Sequence, residues 1–324
     1  MKANLLLVFI AVVMVGCGTT QTSSSGSNEQ YLVHTLNGHT NVVYGITWSP
    51  DSKKIASGSI DSTVKIWDAV QGKDLMTLKG HTNGVGRIAW SPNGKYIAST
   101  GRDKTVRVWD AATGSEILKL DAGTDVIFGV SWSPDSGRLV NGCADKKARV
   151  WEIPSGKLLR TIEGHAGSVV DVDWSPDGRK IASCGGDKTV KIWYALNGKL
   201  LHTLEGHTST VLAVKWSPNG KELLSGGKDK MRRIWDSSTG MELESHQAHH
   251  APIQYVAWRP DGKRFCSAGY KQVNIYSMDA EIRKGPGWGF QHGKSYVRCV
   301  IWSPDGKRIA SSGSDNAIKI WQFP

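Results

Sequence analysis

Tryptophan recurs in this chain at a fixed interval. Trp48, Trp90, Trp132, Trp174, Trp216 and Trp258 stand 42 residues apart, and Trp302 follows after 44. Six of the seven open a Trp-Ser-Pro tripeptide, and Trp258 opens Trp-Arg-Pro. A second series, Trp67, Trp109, Trp151, Trp193, Trp235 and Trp321, keeps the same period, with Tyr276 at its missing position. Of the 14 tryptophans, only Trp288 belongs to neither series. A period in this range marks a repeat architecture, in which each unit buries its apolar face against its neighbours. Residues 31–324 amount to seven units, and no second domain is expected within them.

Each unit reads as four short strands. In the unit at 165–204, Val169 to Trp174 alternates apolar with small or polar residues, the period of a half-buried strand. Ser175-Pro176-Asp177-Gly178 supplies a turn, Lys180 to Cys184 a second strand, and Thr189 to Trp193 a third rich in β-branched residues. Asn197-Gly198 is a hairpin signal ahead of a fourth strand, Leu200 to Leu204. Gly38-His39, Gly80-His81, Gly164-His165 and Gly206-His207 recur before the first strand, and Trp67-Asp68, Trp109-Asp110 and Trp235-Asp236 end the third. On these marks residues 31–324 resemble the WD-repeat β-propeller family. The resemblance implies an all-β fold of seven four-stranded antiparallel blades around a channel. Tyr31 to Leu36 mirrors the fourth strand at Leu200 to Leu204, while the chain stops just after the third-strand Trp321. The N-terminal strand is therefore expected to complete the last blade and close the ring.

Four repeats carry the residue types of a hydrolase triad: His39, Ser57 and Asp61; His81, Ser99 and Asp103; His165, Ser183 and Asp187; His207, Ser225 and Asp229. An enzyme needs one such site rather than a copy in each repeat. The family resemblance implies instead buried hydrogen-bonded tetrads, completed by Trp67, Trp109, Trp193 and Trp235. Three repeats depart from the pattern and are expected to be less rigid. Repeat three has Gly123 and Asn141 in place of His and Ser, repeat six lacks the Asp and has Tyr276, and His292 in repeat seven is offset by one position. Catalysis in the channel would need a unique polar or metal cluster in one repeat, and the sequence displays none. His246, His249 and His250 lack nearby Cys or carboxylate partners, so neither metal nor cofactor is expected.

The N-terminus reads as an address. Lys2 precedes an apolar run from Leu5 to Val15, too short to span a bilayer, which needs about 20 residues. It reads as a secretory signal. Met14-Val15-Gly16-Cys17 resembles the bacterial lipobox, which implies removal of residues 1–16 and lipid on Cys17. Residues 17–30, rich in Gly, Ser, Thr and Asn, form a flexible tether reaching about 20 Å. The expected location is the bacterial cell envelope, lipid-anchored, and the outer membrane where there are two, since Gly18 resembles that sorting pattern. Cys143, Cys184, Cys266 and Cys299 fall within strands and read as small buried apolar residues.

The formal net charge of +11 raises nucleic acid as a partner. Yet about half of the 40 basic residues occupy repeated positions, such as Lys65, Arg107, Arg149, Lys191, Arg233 and Lys319, or the first hairpin of each unit. Charge multiplied by repetition is not a focused groove, and with export it argues against nucleic acid. The hairpin cations should collect on one face, either as a solvated rim or against anionic lipid. Rings of this family act as platforms for proteins and peptides, often on the face of the His and Asp loops. That face would expose Tyr44, Phe128, Leu212, Gln254 and Arg298, four residues before each Trp-Ser-Pro or Trp-Arg-Pro, together with Val42, Val126, Thr210 and Tyr296. Ile60, Arg102 and Lys228 precede their Asp residues, and repeat two offers only Gly84 and Gly86. The expected partner site is Tyr44, Arg102, Phe128, Tyr296 and Arg298, with Trp288 as a further anchor, because Tyr, Trp and Arg dominate binding hot spots. The function expected is a membrane-tethered, monomeric scaffold for an unidentified protein or peptide. The rivals are a central-channel enzyme and a ligand-sensing or envelope-assembly propeller of the Tol type, which favours turns like Ser303-Pro304-Asp305-Gly306-Lys307.

Overall fold

The Trp-Ser-Pro tripeptide builds a hairpin from its own side chains. Ser49 Oγ accepts the Lys54 N–H at 2.8 Å and donates to Asp51 Oδ1 at 2.6 Å, and Asp51 accepts the Lys53 N–H at 3.0 Å. The serine-to-Asp or serine-to-Asn bond recurs at Ser91, Ser133, Ser175, Ser217 and Ser303. In the sixth unit Arg259 replaces the serine and pairs with Asp261 instead. These hairpins join the first and second strands of every unit. In the first unit the four strands are Val43–Trp48, Lys54–Ser59, Thr63–Asp68 and Lys73–Lys79, paired antiparallel in that order.

A computed structural model describes residues 28–279 and 287–324. The signal segment, Cys17 and residues 18–27 of the tether lie outside the described residues. Within them the fold is all-β apart from a 3-10 turn at Asn28–Tyr31. Blades one to five are separate four-stranded sheets. Blades six and seven share one fifteen-residue strand, Trp288–Trp302. Its first part pairs with Tyr270–Ser277, Trp288 lying opposite Ile275, as the outer strand of blade six. Its last part pairs with Arg308–Gly313, Trp302 opposite Ile309, as the inner strand of blade seven. The strand Leu32–Leu36 pairs antiparallel with Ile318–Gln322, Leu36 opposite Ile318 and Leu32 opposite Trp321, as the fourth strand of blade seven.

Each inner strand starts beside the His and Asp loops and ends at its Trp hairpin, so the ring has a His-Asp face and a hairpin face. The core lies between blades. One cluster joins Val64, Ile66 and Leu78 of blade one to Ile88, Ile97 and Trp109 of blade two. The same arrangement repeats around the ring, and a last cluster joins Cys299, Ala310 and Ile318 of blade seven to Val43, Trp48 and Trp67 of blade one. No blade has an apolar interior of its own, which is why the pattern needs neighbours on both sides. The four cysteines within the described strands are buried and unpaired.

Candidate functional site

The four triad-like sets are internal struts. In blade one Trp67 Nε1 donates to Ser57 Oγ at 2.8 Å, Ser57 meets His39 Nε2 at 2.8 Å, and His39 Nδ1 meets Asp61 Oδ2 at 2.8 Å. An indole is only a donor and an ionised carboxylate only an acceptor, so the protons run one way, from Trp through Ser and His to Asp. His81, Ser99, Asp103 and Trp109 repeat the chain, as do His165, Ser183, Asp187 and Trp193, and His207, Ser225, Asp229 and Trp235. Burial works against ionised Asp103 and Asp187, but the histidine and threonine donors hold both carboxyls well below their ordinary value. The glycine before the histidine has its own reason. Gly38 sits at φ 153°, and a Cβ there would meet the Trp67 ring at 3.1 Å.

The three departing blades carry substitute networks. In blade seven Ser311 meets His292 Nδ1 at 2.7 Å and Asp315 meets Nε2 at 3.1 Å, with Trp321 Nε1 on Ser311 at 3.0 Å. The imidazole is turned over, which absorbs the one-residue offset and leaves blade seven with a complete tetrad. In blade three Asn141 accepts the Trp151 indole N–H at 2.7 Å and donates to Ala122 O at 3.2 Å, one amide doing the work of Ser and His. Asp145 there pairs with Arg149 at 2.7 Å. Burial pushes its carboxyl up, but the guanidinium, with the Thr124 N–H, brings it down to about 2. In blade six His249 meets Ser267 at 2.7 Å, and the Tyr276 hydroxyl and Asn274 amide both donate to Ala248 O, at 3.1 and 3.0 Å.

The open site is on the His-Asp face. The residues four before the inner-strand tryptophans, Tyr44, Gly86, Phe128, Val170, Leu212, Gln254 and Arg298, all line one cavity of about 460 Å³ at the mouth of the channel. Arg298 is held between the Tyr44 and Tyr296 rings, at 5.5 and 5.3 Å, and donates to Gln254 Oε1 at 3.1 Å and Ser314 Oγ at 3.2 Å. Tyr296 therefore joins the site through Arg298. Arg102 is exposed but does not line the cavity. Trp288 does not join them: its ring packs on Tyr31 at 4.8 Å, Phe323 at 5.8 Å and Phe290 at 6.0 Å, at the seam of blades six and seven. Trp288 is thus a half-buried seam residue, apart from the cavity.

Below the mouth lies a group that the sequence reading missed. Arg87 of blade two crosses the channel and donates to Gln254 O at 3.1 Å and Arg298 O at 3.4 Å, its guanidinium 4.2 Å from the Tyr255 ring. Lys215 reaches Asp171 at 2.8 Å and lies 3.9 Å from Asp173. Asp173 also accepts the Trp216 N–H at 2.9 Å and the Ser131 hydroxyl at 3.3 Å. Burial pushes the Asp173 carboxyl up to about 6, against the pull of Lys215. Burial also opposes the Lys215 charge, yet Asp171 holds the ammonium above its ordinary value. The channel thus holds a polar cluster built from several repeats, which the search for one within a single repeat did not address. The signal existed in the inner-strand position third from each Trp, where Arg87, Asp171 and Tyr255 break a series of Gly, Ala and Cys. It is spread over separate repeats, so no single repeat displays it.

A family model described as the WDHD1 first WD40 domain matches residues 81–324, and one described as WD domain, G-beta repeat matches residues 30–68. The chain belongs to the WD40-repeat family. Among curated proteins, Protein HIRA of Oryza sativa subsp. japonica is 46% identical over 59 residues, 16% of this chain and 6% of that protein. Striatin-4 of Homo sapiens is 46% identical over 43 residues, 13% of this chain and 6% of that protein. The serine-threonine kinase receptor-associated protein of Homo sapiens is 44% identical over 45 residues, 14% of this chain and 13% of that protein. The chain thus matches only 6 to 13% of the length of these relatives, about one repeat in each.

Several of the repeated cations in this WD40 ring are paired internally. Lys65 pairs with Asp74, Arg107 with Glu116 and Arg233 with Glu242, each across the third and fourth strands of one blade. On the hairpin face Arg308 donates to Ala69 O at 2.9 Å and Arg259 to Gly306 O at 3.1 Å, tying neighbouring blades. Lys53, Lys95, Arg179, Lys221, Lys263 and Lys307 stand exposed on that face. Of the three candidate metal histidines, His246 lies 3.2 Å from Glu244, while His249 is occupied by Ser267.

Proposed function

We propose that this WD40 ring is a protein-interaction platform that receives a short segment of a partner in the cavity of its His-Asp face. One observation carries the reading: residues from all seven blades, at a single repeat position, converge on one cavity and differ in character from blade to blade. A purely structural position would repeat its residue type, as the tetrads do. Support also comes from the family, in which the kinase receptor-associated protein is named for such an association. Binding rather than turnover is the reading, because the triad-like sets are struts, Lys215 is paired with Asp171, and Arg87 is tied to the Gln254 and Arg298 carbonyls. The ring is read as closed by the strand Leu32–Leu36 and as working as a monomer. Anchoring through lipid on Cys17 in a bacterial envelope rests on Met14-Val15-Gly16-Cys17 and the apolar run before it.

The test is cross-linking in native membranes followed by mass spectrometry, with wild type beside Tyr44→Ala, Phe128→Ala and Arg298→Ala. The variants are expected to lose the partner recovered with wild type. Unchanged recovery would sink the platform reading. The same spectra examine the N-terminal peptide, and an unmodified Cys17 would overturn the anchor.

A further inference from the structure

We propose that the cavity selects a peptide that carries an acidic group next to an apolar side chain. This rests on the platform reading and names its ligand chemistry. The cavity has two unlike halves. Phe128, Val170 and Leu212, from blades three, four and five, form an apolar wall. Across the ring, blades seven, one and six contribute Arg298, Tyr44 and Gln254, with the Arg87 guanidinium beneath them.

The charge of this lining is one-sided. Arg87, Lys228 and Arg298 line the cavity, and no Asp or Glu is among the described lining residues. The carboxylates nearest below, Asp171 and Asp173, are already engaged by Lys215, backbone N–H groups and Ser131. Arg87 and Lys215 therefore face two acids in the channel, and the charge left at the opening is that of Arg298 and Lys228. Arg298 is fixed by neutral partners alone, the Gln254 amide, the Ser314 hydroxyl and the two tyrosine rings. No carboxylate among the described residues pairs with it. A guanidinium held in place without a counter-ion is pre-organised for a carboxylate, which it can bind through two N–H donors. A ligand that sets a carboxylate on Arg298 lies within reach of the Phe128 and Leu212 wall on the far side of the same cavity. Gly86 leaves the rim low between Tyr44 and Phe128, an exit for an extended chain.

The experiment uses the full chain and an array of random hexapeptides, printed once with free C-termini and once amidated. Binders are expected to be enriched in Asp or Glu beside Leu, Ile or Phe. Their affinity should fall about tenfold or more with Arg298→Gln, stay closer to wild type with Arg298→Lys, and weaken with salt. Loss of binders on amidation assigns the acid to the chain terminus, and retention assigns it to a side chain; both support the proposal. Binders that vanish with Phe128→Ala but are neutral or basic, and ignore Arg298→Gln, would overturn acid selection while leaving the platform intact. Binders indifferent to Phe128→Ala and Leu212→Ala together would remove the platform reading itself. Thermal melting of each variant separates lost recognition from lost folding, and Lys228→Gln gives a second, surface-exposed probe of the same charge.

Discussion

In blade three a single amide stands in for two side chains. Asn141 takes the Trp151 indole N–H and caps Ala122 O, so the buried indole keeps an acceptor although the histidine is gone. Gly123 cannot be returned to histidine, because a Cβ there would overlap the Cys143 sulfur. Asn141→Ser should therefore destabilise rather than repair the blade. A serine there can still accept the Trp151 N–H, as Ser57 does from Trp67, but it strands Ala122 O, at a cost of about 1–3 kcal/mol. Chemical denaturation of this variant and of Asn141→Ser with Gly123→His checks the point: the double variant should be no more stable than the single one. Full recovery in the double variant would show that the tetrad chemistry, and not the local packing, sets this position.

Among the blades, six is the most altered. His249 keeps its serine, but the loop that should carry the Asp is one residue shorter and holds Tyr270 and Lys271, Lys271 at the positive φ of the lysines that follow Asp103 and Asp229. Burial, with a smaller contribution from the nearby His250, lowers the His249 pKa to about 4. A folded-state pKa below the unfolded value of about 6.5 means that the unfolded chain binds the proton first as pH falls. Stability contributed by neutral His249 is thus present above pH 6.5 and is lost as pH drops toward 4, to about 3 kcal/mol when complete. Hydrogen exchange should show the amides of Arg264–Ala268 in blade six opening between pH 7 and 4.5 more than those of Lys180–Gly185 in blade four. Equal pH sensitivity would refute this. Elements of this kind were legible in the sequence wherever the template was kept: the Trp-Ser-Pro hairpins, the four tetrads and the strand order all follow from repeated residues. Substitute networks were not, because Asn141, Tyr276 and the turned-over His292 work through geometry that a missing motif letter does not reveal. The rim positions Tyr44, Phe128, Leu212, Gln254 and Arg298 were found by counting back from each tryptophan. Arg87 was missed because its reach across the channel depends on the small residues of other blades.

For the whole molecule the N-terminal strand matters most, since it is the one strand that the last blade takes from the far end of the chain. Removing residues 31–36 deletes the pairing with Ile318–Gln322 and exposes the apolar surface around buried Leu36. The melting temperature should fall by roughly 10 °C, from several kcal/mol of lost burial and pairing. A truncated chain that melts like the wild type would mean that the ring does not depend on this strand. Trp288→Ala should destabilise in the same manner, through Tyr31 and Phe323, and leave binding at the cavity unaltered in whatever fraction stays folded. The register of the N-terminal strand has one more consequence. Leu32 lies opposite Trp321 and Leu36 opposite Ile318, so the chain joins the ring from its hairpin side. Entry at the back leaves the mouth clear: the cavity opens on the far side of the disc from the point where the first strand begins.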